Sequence, residues 1–209
     1  MSPVSKHKPE EQISSDSLPE LEPPGAGLPD DELKLTQQRF HQAFDNNPRS
    51  YYEELFDNEK HNILKLINEI DDNQLTTQVL IERFRGIEDS SRNWSAYMTL
   101  EHLHMCNVIF LDIIEKLVRG NTTSMTTVLP ENLKPDPQSG RGSLPAFEQS
   151  ANNFQHIVSN IDDLATELTH PHPWLGPLTA AKWLALSAAH MKIHRVQMER
   201  IKEGLLVKL

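Results

Sequence analysis

From Asp30 onward, apolar side chains return every third or fourth residue in long runs, and clusters of proline, glycine and asparagine separate one run from the next. That period is the period of the α-helix, so each run presents one apolar stripe that must be buried against another helix. Leu33, Leu35, Phe40 and Phe44 predict a first helix, capped by Asp30 or Asp31 and broken at Pro48, whose ring removes a backbone donor. Tyr52, Leu55, Phe56, Ile63, Leu66, Ile67 and Ile70 predict a second over 51–70. A further short helix is expected over 76–84, ended by Gly86. Ser95 is the expected N-cap of a long helix to Val118, with Gly120 and Asn121 as its stop. Helix is expected again over 147–168, and from Thr179 to about Leu206 after a Pro-rich turn, His170-Pro171-His172-Pro173-Trp174-Leu175-Gly176-Pro177-Leu178. No run alternates convincingly as a strand would, and there is no internal repeat.

The expected fold is therefore all-α, a helix bundle. Residues 120–147 form a long polar connector containing Pro130, Pro135, Pro137, Gly140, Gly142 and Pro145. A helix over 95–118 is roughly 36 Å long at 1.5 Å per residue, and a connector of this length reaches roughly 90 Å when extended. It can return to the starting end, so the helices on its two sides are free to run parallel.

Residues 1–30 differ from the rest of the chain: they hold six of the 14 prolines and no aromatic residue. Such a segment buries too little apolar surface to offset its ordering entropy. It is expected to be a disordered acidic tail, with a domain over 31–209; docking through Leu18, Leu21 and Leu28 is the alternative. With 20 basic and 30 acidic residues the formal charge is −10, which disfavours a nucleic-acid partner. No apolar stretch suffices for a membrane span and no leader-like segment opens the sequence, so the expectation is a cytoplasmic protein. Cys106 is the single cysteine, which excludes an internal disulfide and a multi-cysteine zinc site.

Ten histidines are present, and three command interest. His190 and His194 are four apart, so both rings leave one face of the last helix a turn apart, a natural bite for one metal ion. Trp183, Ser187, Gln197 and Ile201 share that stripe, which therefore faces the core. On the pair alone, two histidines hydrogen-bonded in the core or at its edge are the favoured reading. In the 95–118 helix, His102 and His104 point to opposite sides; His102 shares its stripe with Cys106, Ile109, Ile113 and Leu117 and is the inward one. A buried imidazole without a partner is costly, and a shared metal would remove that cost for all three.

Arg92-Asn93-Trp94-Ser95, Thr99-Leu100-Glu101-His102-Leu103, the Pro-rich turn with Thr179, Trp183, His190 and His194-Arg195-x-Gln197 together resemble the DinB-like (DinB/YfiT) superfamily over about residues 33–205. The turn resembles that of a bacterial subgroup. The resemblance implies a four-helix bundle with up-down-down-up topology, here with extra short helices. It also implies a divalent metal, zinc or nickel first and iron or manganese as alternatives, on His102, His190 and His194. By the same resemblance alone a small-molecule substrate is expected, and the expected chemistry is metal-dependent transfer with a low-molecular-weight thiol, hydrolysis being the variant. A homodimer is compatible with it. The competing readings are a non-catalytic metal-binding stress or sensing protein, and a helical interaction domain with structural histidines. Around the triad, Cys106 is a candidate fourth ligand or an inert buried thiol, Glu101 an orienting group or surface acid, His172 a pocket or loop residue, and Gln197 a hydrogen-bond partner to a ligand.

Overall fold

The computed structural model describes residues 20–121 and 130–207. Five helices account for most of it: α1 (Asp30–Asn46), α2 (Arg49–Asn68), α3 (Ala96–Val118), α4 (Ser143–Ser159) and α5 (Ala180–Val207). Two antiparallel ribbons are the only strands among the described residues, β1 (Val79–Leu80) with β2 (Asn93–Trp94), and β3 (His170–His172) with β4 (Gly176–Leu178).

Helices α2 to α5 form the bundle, and long-range contacts give their directions. Glu59 of α2 pairs with Arg195 of α5, and Glu69 with Lys202, so α2 and α5 run parallel. Arg49 meets Val158 at one end of α4 while Lys60 meets Asn152 further back, so α2 and α4 are antiparallel. His102 faces His190 and His194, while Phe110 faces Trp183, so α3 opposes α5. The order is therefore up-down-down-up, with α3 and α4 parallel as the long connector allows. Phe56 and Phe154 stack at 4.6 Å across the α2–α4 seam, and Ile63, Leu100, Leu103, Ile114, Trp183 and Ile201 fill the centre with at most 1% of their surface exposed.

Local chemistry sets most boundaries. Ser95 Oγ accepts the Met98 N–H at 3.2 Å and fixes the start of α3. Pro48 sits immediately before α2, where a missing N–H costs nothing. Two boundaries differ from expectation on α4. It begins at Ser143, because Pro145 falls in the first turn, where proline is tolerated. It ends at Ser159 rather than near Leu168, because the Arg49 guanidinium donates to the Val158 and Ile161 carbonyls, both at 2.7 Å, and satisfies the helix end from outside. The expected helix over 76–84 is absent: that segment is extended and forms β1, with Val79 and Ile81 turned inward at period two. Its β-branched residues suit a strand, and the backbone at 92–94 supplies partners that nine residues of helix cannot outbid. The Pro-rich turn is likewise a hairpin, β3–β4, rather than a featureless loop.

The expected tail divides. Residues 1–19 lie outside the described residues. Residues 20–29 lie against the rest of the chain: Leu28 is buried, Leu21 half-buried, and the Gly25 and Gly27 N–H groups both donate to Glu88 Oε1 at 2.9 Å. Both glycines have φ near +85°, a conformation that costs other residues strain, and this is what lets two N–H groups converge on one carboxylate oxygen.

Candidate metal centre

The cap at Ser95 starts α3 so that His102 falls in its second turn on the side facing α5. Helix α5 answers with His190 and His194. The Nε2 atom of His190 lies 3.2 Å from Nε2 of His102 and 3.1 Å from Nε2 of His194. The structure thus brings all three sequence-predicted imidazoles to one point. Cys106, one turn after His102, places its Sγ 3.6 Å from His102 Nε2. That sulfur and one nitrogen each of His102 and His190 all lie within 4.8 Å of one another, a cluster of metal-binding size.

The other ring nitrogens decide which tautomers are present. His102 Nδ1 is 2.6 Å from the Leu133 carbonyl, which can only accept, so Nδ1 carries the hydrogen. In the neutral ring Nε2 is then a bare lone pair. Gln197 donates its amide Nε2 to the Ser91 carbonyl at 2.7 Å, which turns its Oε1 to His194 Nδ1, also at 2.7 Å. His194 Nδ1 must donate, and its Nε2 is bare as well. Two lone pairs therefore point at the third imidazole, and one His190 hydrogen can satisfy at most one of them. The other faces a weak donor only, the Cys106 thiol, when it is the His102 lone pair, 3.6 Å from that sulfur.

The surroundings keep the rings neutral. Burial pushes His102 down to about 4, the Leu133 hydrogen bond opposing only in part. Burial also holds His190 and His194 well below the ordinary histidine range, with repulsion among the three rings adding to it. Burial pushes the Cys106 thiol up, so that without a cation it stays protonated. Trp94 stacks on His194 at 5.9 Å and 7°, and Phe110 meets His190 edge-on at 5.5 Å.

The remaining candidates separate. Gln197, fully buried, bridges His194 to the 89–91 turn. Glu101 turns away from the imidazoles: it accepts from the Asp136 N–H at 2.9 Å and from the Ser139 hydroxyl, and so anchors the returning connector. That connector carries Leu133 past His102. His172, at the end of β3, accepts the Trp174 and Leu175 N–H groups on Nδ1 and lines the same cavity as the triad. Arg195 pairs with the buried Glu59 at 2.5 Å. The parts that sequence reasoning missed are the Leu133 carbonyl, which carries no side-chain signal, and Trp94, which reads as a packing residue although its place beside Ser95 sets it next to α3's ligand face.

A cavity of about 610 Å³ opens from the three imidazoles and is bounded by α1, α5, the 84–94 segment and the β3–β4 hairpin. Its walls are mainly apolar, as ligand pockets of this size usually are.

A family model for the DinB superfamily matches residues 55–198, about two thirds of the sequence. The chain belongs to the DinB superfamily. The match contains His102, His190 and His194 together with all of α3 and α4. Among solved structures, the crystal structure of TT2238, a four-helix bundle protein, is similar in fold: TM-score 0.52 and 18% identity, covering 73% of this chain and 98% of that one. No curated protein matches the sequence. No helix among the described residues is long and apolar enough to cross a membrane.

Proposed function

We propose that this DinB superfamily protein binds a divalent metal ion through Nε2 of His102, His190 and His194, and uses it to activate a small thiol for transfer to an electrophile. The observation that carries the metal reading is the convergence of three Nε2 atoms on one point, two of them fixed as acceptors by Leu133 and by Gln197. The Nε2 atom of His190 stands 3.2 Å from that of His102 and 3.1 Å from that of His194, close enough for the three to hold one ion between them. Neutral imidazoles suit zinc, nickel and iron(II), and manganese less well. Cys106 stands close enough to join as a soft fourth ligand.

A bound divalent ion supplies Lewis acidity that lowers the pKa of a coordinated thiol or water. The chain's own residues supply the rest. Leu133 and Gln197 hold two rings in the ligating tautomer, Trp94 and Phe110 exclude water from their flanks, and the apolar cavity receives the reactant. The buried Cys106, whose thiol is pushed up, is a poor nucleophile, so the reacting sulfur comes from a bound small thiol. The cavity favours this reading over a metal store or a helical adaptor, because neither needs an apolar chamber beside its ion.

The test is metal analysis of untagged protein beside the His190→Ala, His194→Ala double variant. Near-stoichiometric metal in the wild type and trace metal in the variant supports the site; equal trace metal in both overturns it. Turnover is then assayed with small thiols and electrophiles at neutral pH, with zinc, nickel, iron or manganese added, and no turnover with any of them overturns the transferase reading.

A further inference from the structure

The cavity lining carries a charge pattern opposite to the chain's own. Arg39, Arg85, Lys134 and Lys192 line it, and none makes an ion pair among the described residues. Glu88 is the one acid on the lining, and its carboxylate is already taken by the N–H groups of Gly25 and Gly27 and by the Ser90 hydroxyl. In a protein of net charge −10, Arg39, Lys134 and Lys192, together with Arg85 whose charge also reaches Glu32, set against one committed acid, make an anion-attracting mouth.

Inside, His172 offers a donor of fixed identity. Its Nδ1 accepts the backbone N–H groups of Trp174 at 3.2 Å and Leu175 at 3.3 Å, so the ring hydrogen of the neutral imidazole is on Nε2. The ring stands edge-on against Trp183 at 5.7 Å and Trp174 at 6.1 Å, which hold its plane. Nε2 has no hydrogen-bond partner among the described residues, and neither has the buried indole N–H of Trp94, another residue of the lining. Phe40, Leu28, Leu55 and Ile193 make much of the remaining wall apolar.

We propose that the cavity takes an apolar organic anion, a carboxylate on a hydrocarbon or aromatic body, and that His172 donates its Nε2–H to the carboxylate. The apolar body fills the chamber, the cations draw the anion in, and His172 sets the position of its head relative to the three imidazoles. The assignment deepens the proposed function by naming the class of molecule that shares the cavity with the ion, and it rests on that reading only for what happens after binding.

The experiment uses the full chain, stripped of metal by chelation and then reloaded with zinc. Phenylbutyrate, phenylbutanol and phenylbutylammonium are titrated by calorimetry. The wild type is expected to prefer the carboxylate over the alcohol by about tenfold, in line with one charge-assisted hydrogen bond, and to bind the ammonium most weakly. His172→Asn retains an acceptor for the turn N–H groups but loses Nε2–H; it is expected to bind the alcohol within about twofold of wild type and to lose most of the preference. In the wild-type chain, imidazole NMR is expected to show the His172 Nε2–H resonance moving downfield with the carboxylate and not with the alcohol. Equal binding of carboxylate and alcohol, an unmoved Nε2–H resonance, or a variant that weakens both probes alike overturns the proposal. A carboxylate preference that survives in stripped protein upholds it even if the metal analysis fails, so the two readings fall separately.

Discussion

Replacing Gln197 with leucine tests the logic of the centre without touching an imidazole. The two side chains are similar in volume, and Gln197 is fully buried, so the packing change is small. What is lost is specific: the Ser91 carbonyl loses its 2.7 Å donor, and His194 Nδ1–H loses its 2.7 Å acceptor. Each buried group left unpaired costs about 1–3 kcal/mol, so the expected destabilisation is about 2–6 kcal/mol. The metal effect is separable. Without Oε1 to accept from Nδ1–H, nothing holds the hydrogen of His194 on Nδ1, and metal affinity is expected to fall by about 10–100-fold. Urea unfolding of stripped protein reads the first effect, and competition with a chromogenic zinc chelator reads the second. A Gln197→Leu protein that loses less than about 0.5 kcal/mol, with unchanged zinc affinity, refutes the idea that these hydrogen bonds set the tautomer.

Other perturbations act on the same network of contacts. Gly204→Ala in α5 gains about 1 kcal/mol of helix propensity, but the new Cβ would stand 2.5 Å from Val79 Cγ1, so a net loss of melting temperature is expected; a rise contradicts the α5–β1 packing. Arg49→Leu removes the donors that cap α4 and is expected to cost about 1–3 kcal/mol in urea unfolding; no change would show the cap to be idle. The buried histidines make the metal-free protein acid-sensitive. The folded pKa of His102 is about 4 against an ordinary 6.5, so the unfolded chain takes up a proton first and stability is lost as pH falls from 6.5 towards 4. Between pH 6.5 and 5.0 that amounts to about 2 kcal/mol for His102, and His102→Phe is expected to remove that much of the slope; an unchanged slope contradicts it.

How far a sequence reveals such a site depends on the range of the contacts that build it. Ser95 marks a helix start and Pro48 a helix break through their own backbone chemistry, and α3 and α5 run to within about a residue of the reading from spacing. The inward turn of His102, His190 and His194 follows from which apolar residues share each stripe, because burial on a helix is a local periodic property. Contacts that bind distant segments are a different matter. The Leu133 carbonyl reaches His102 only because Glu101 anchors the connector at Asp136 and Ser139. The end of α4 is set by Arg49, more than a hundred residues earlier, and the fate of 76–84 by pairing with Asn93 and Trp94. Tertiary hydrogen bonds outweigh local propensity at each of these places.

Anomalous scattering from crystals of zinc-loaded, untagged protein tests the central claim most directly. One strong peak is expected at the zinc edge, about 2.0–2.1 Å from Nε2 of His102, His190 and His194 together. A peak elsewhere, or none at full zinc occupancy in solution, contradicts a three-imidazole centre.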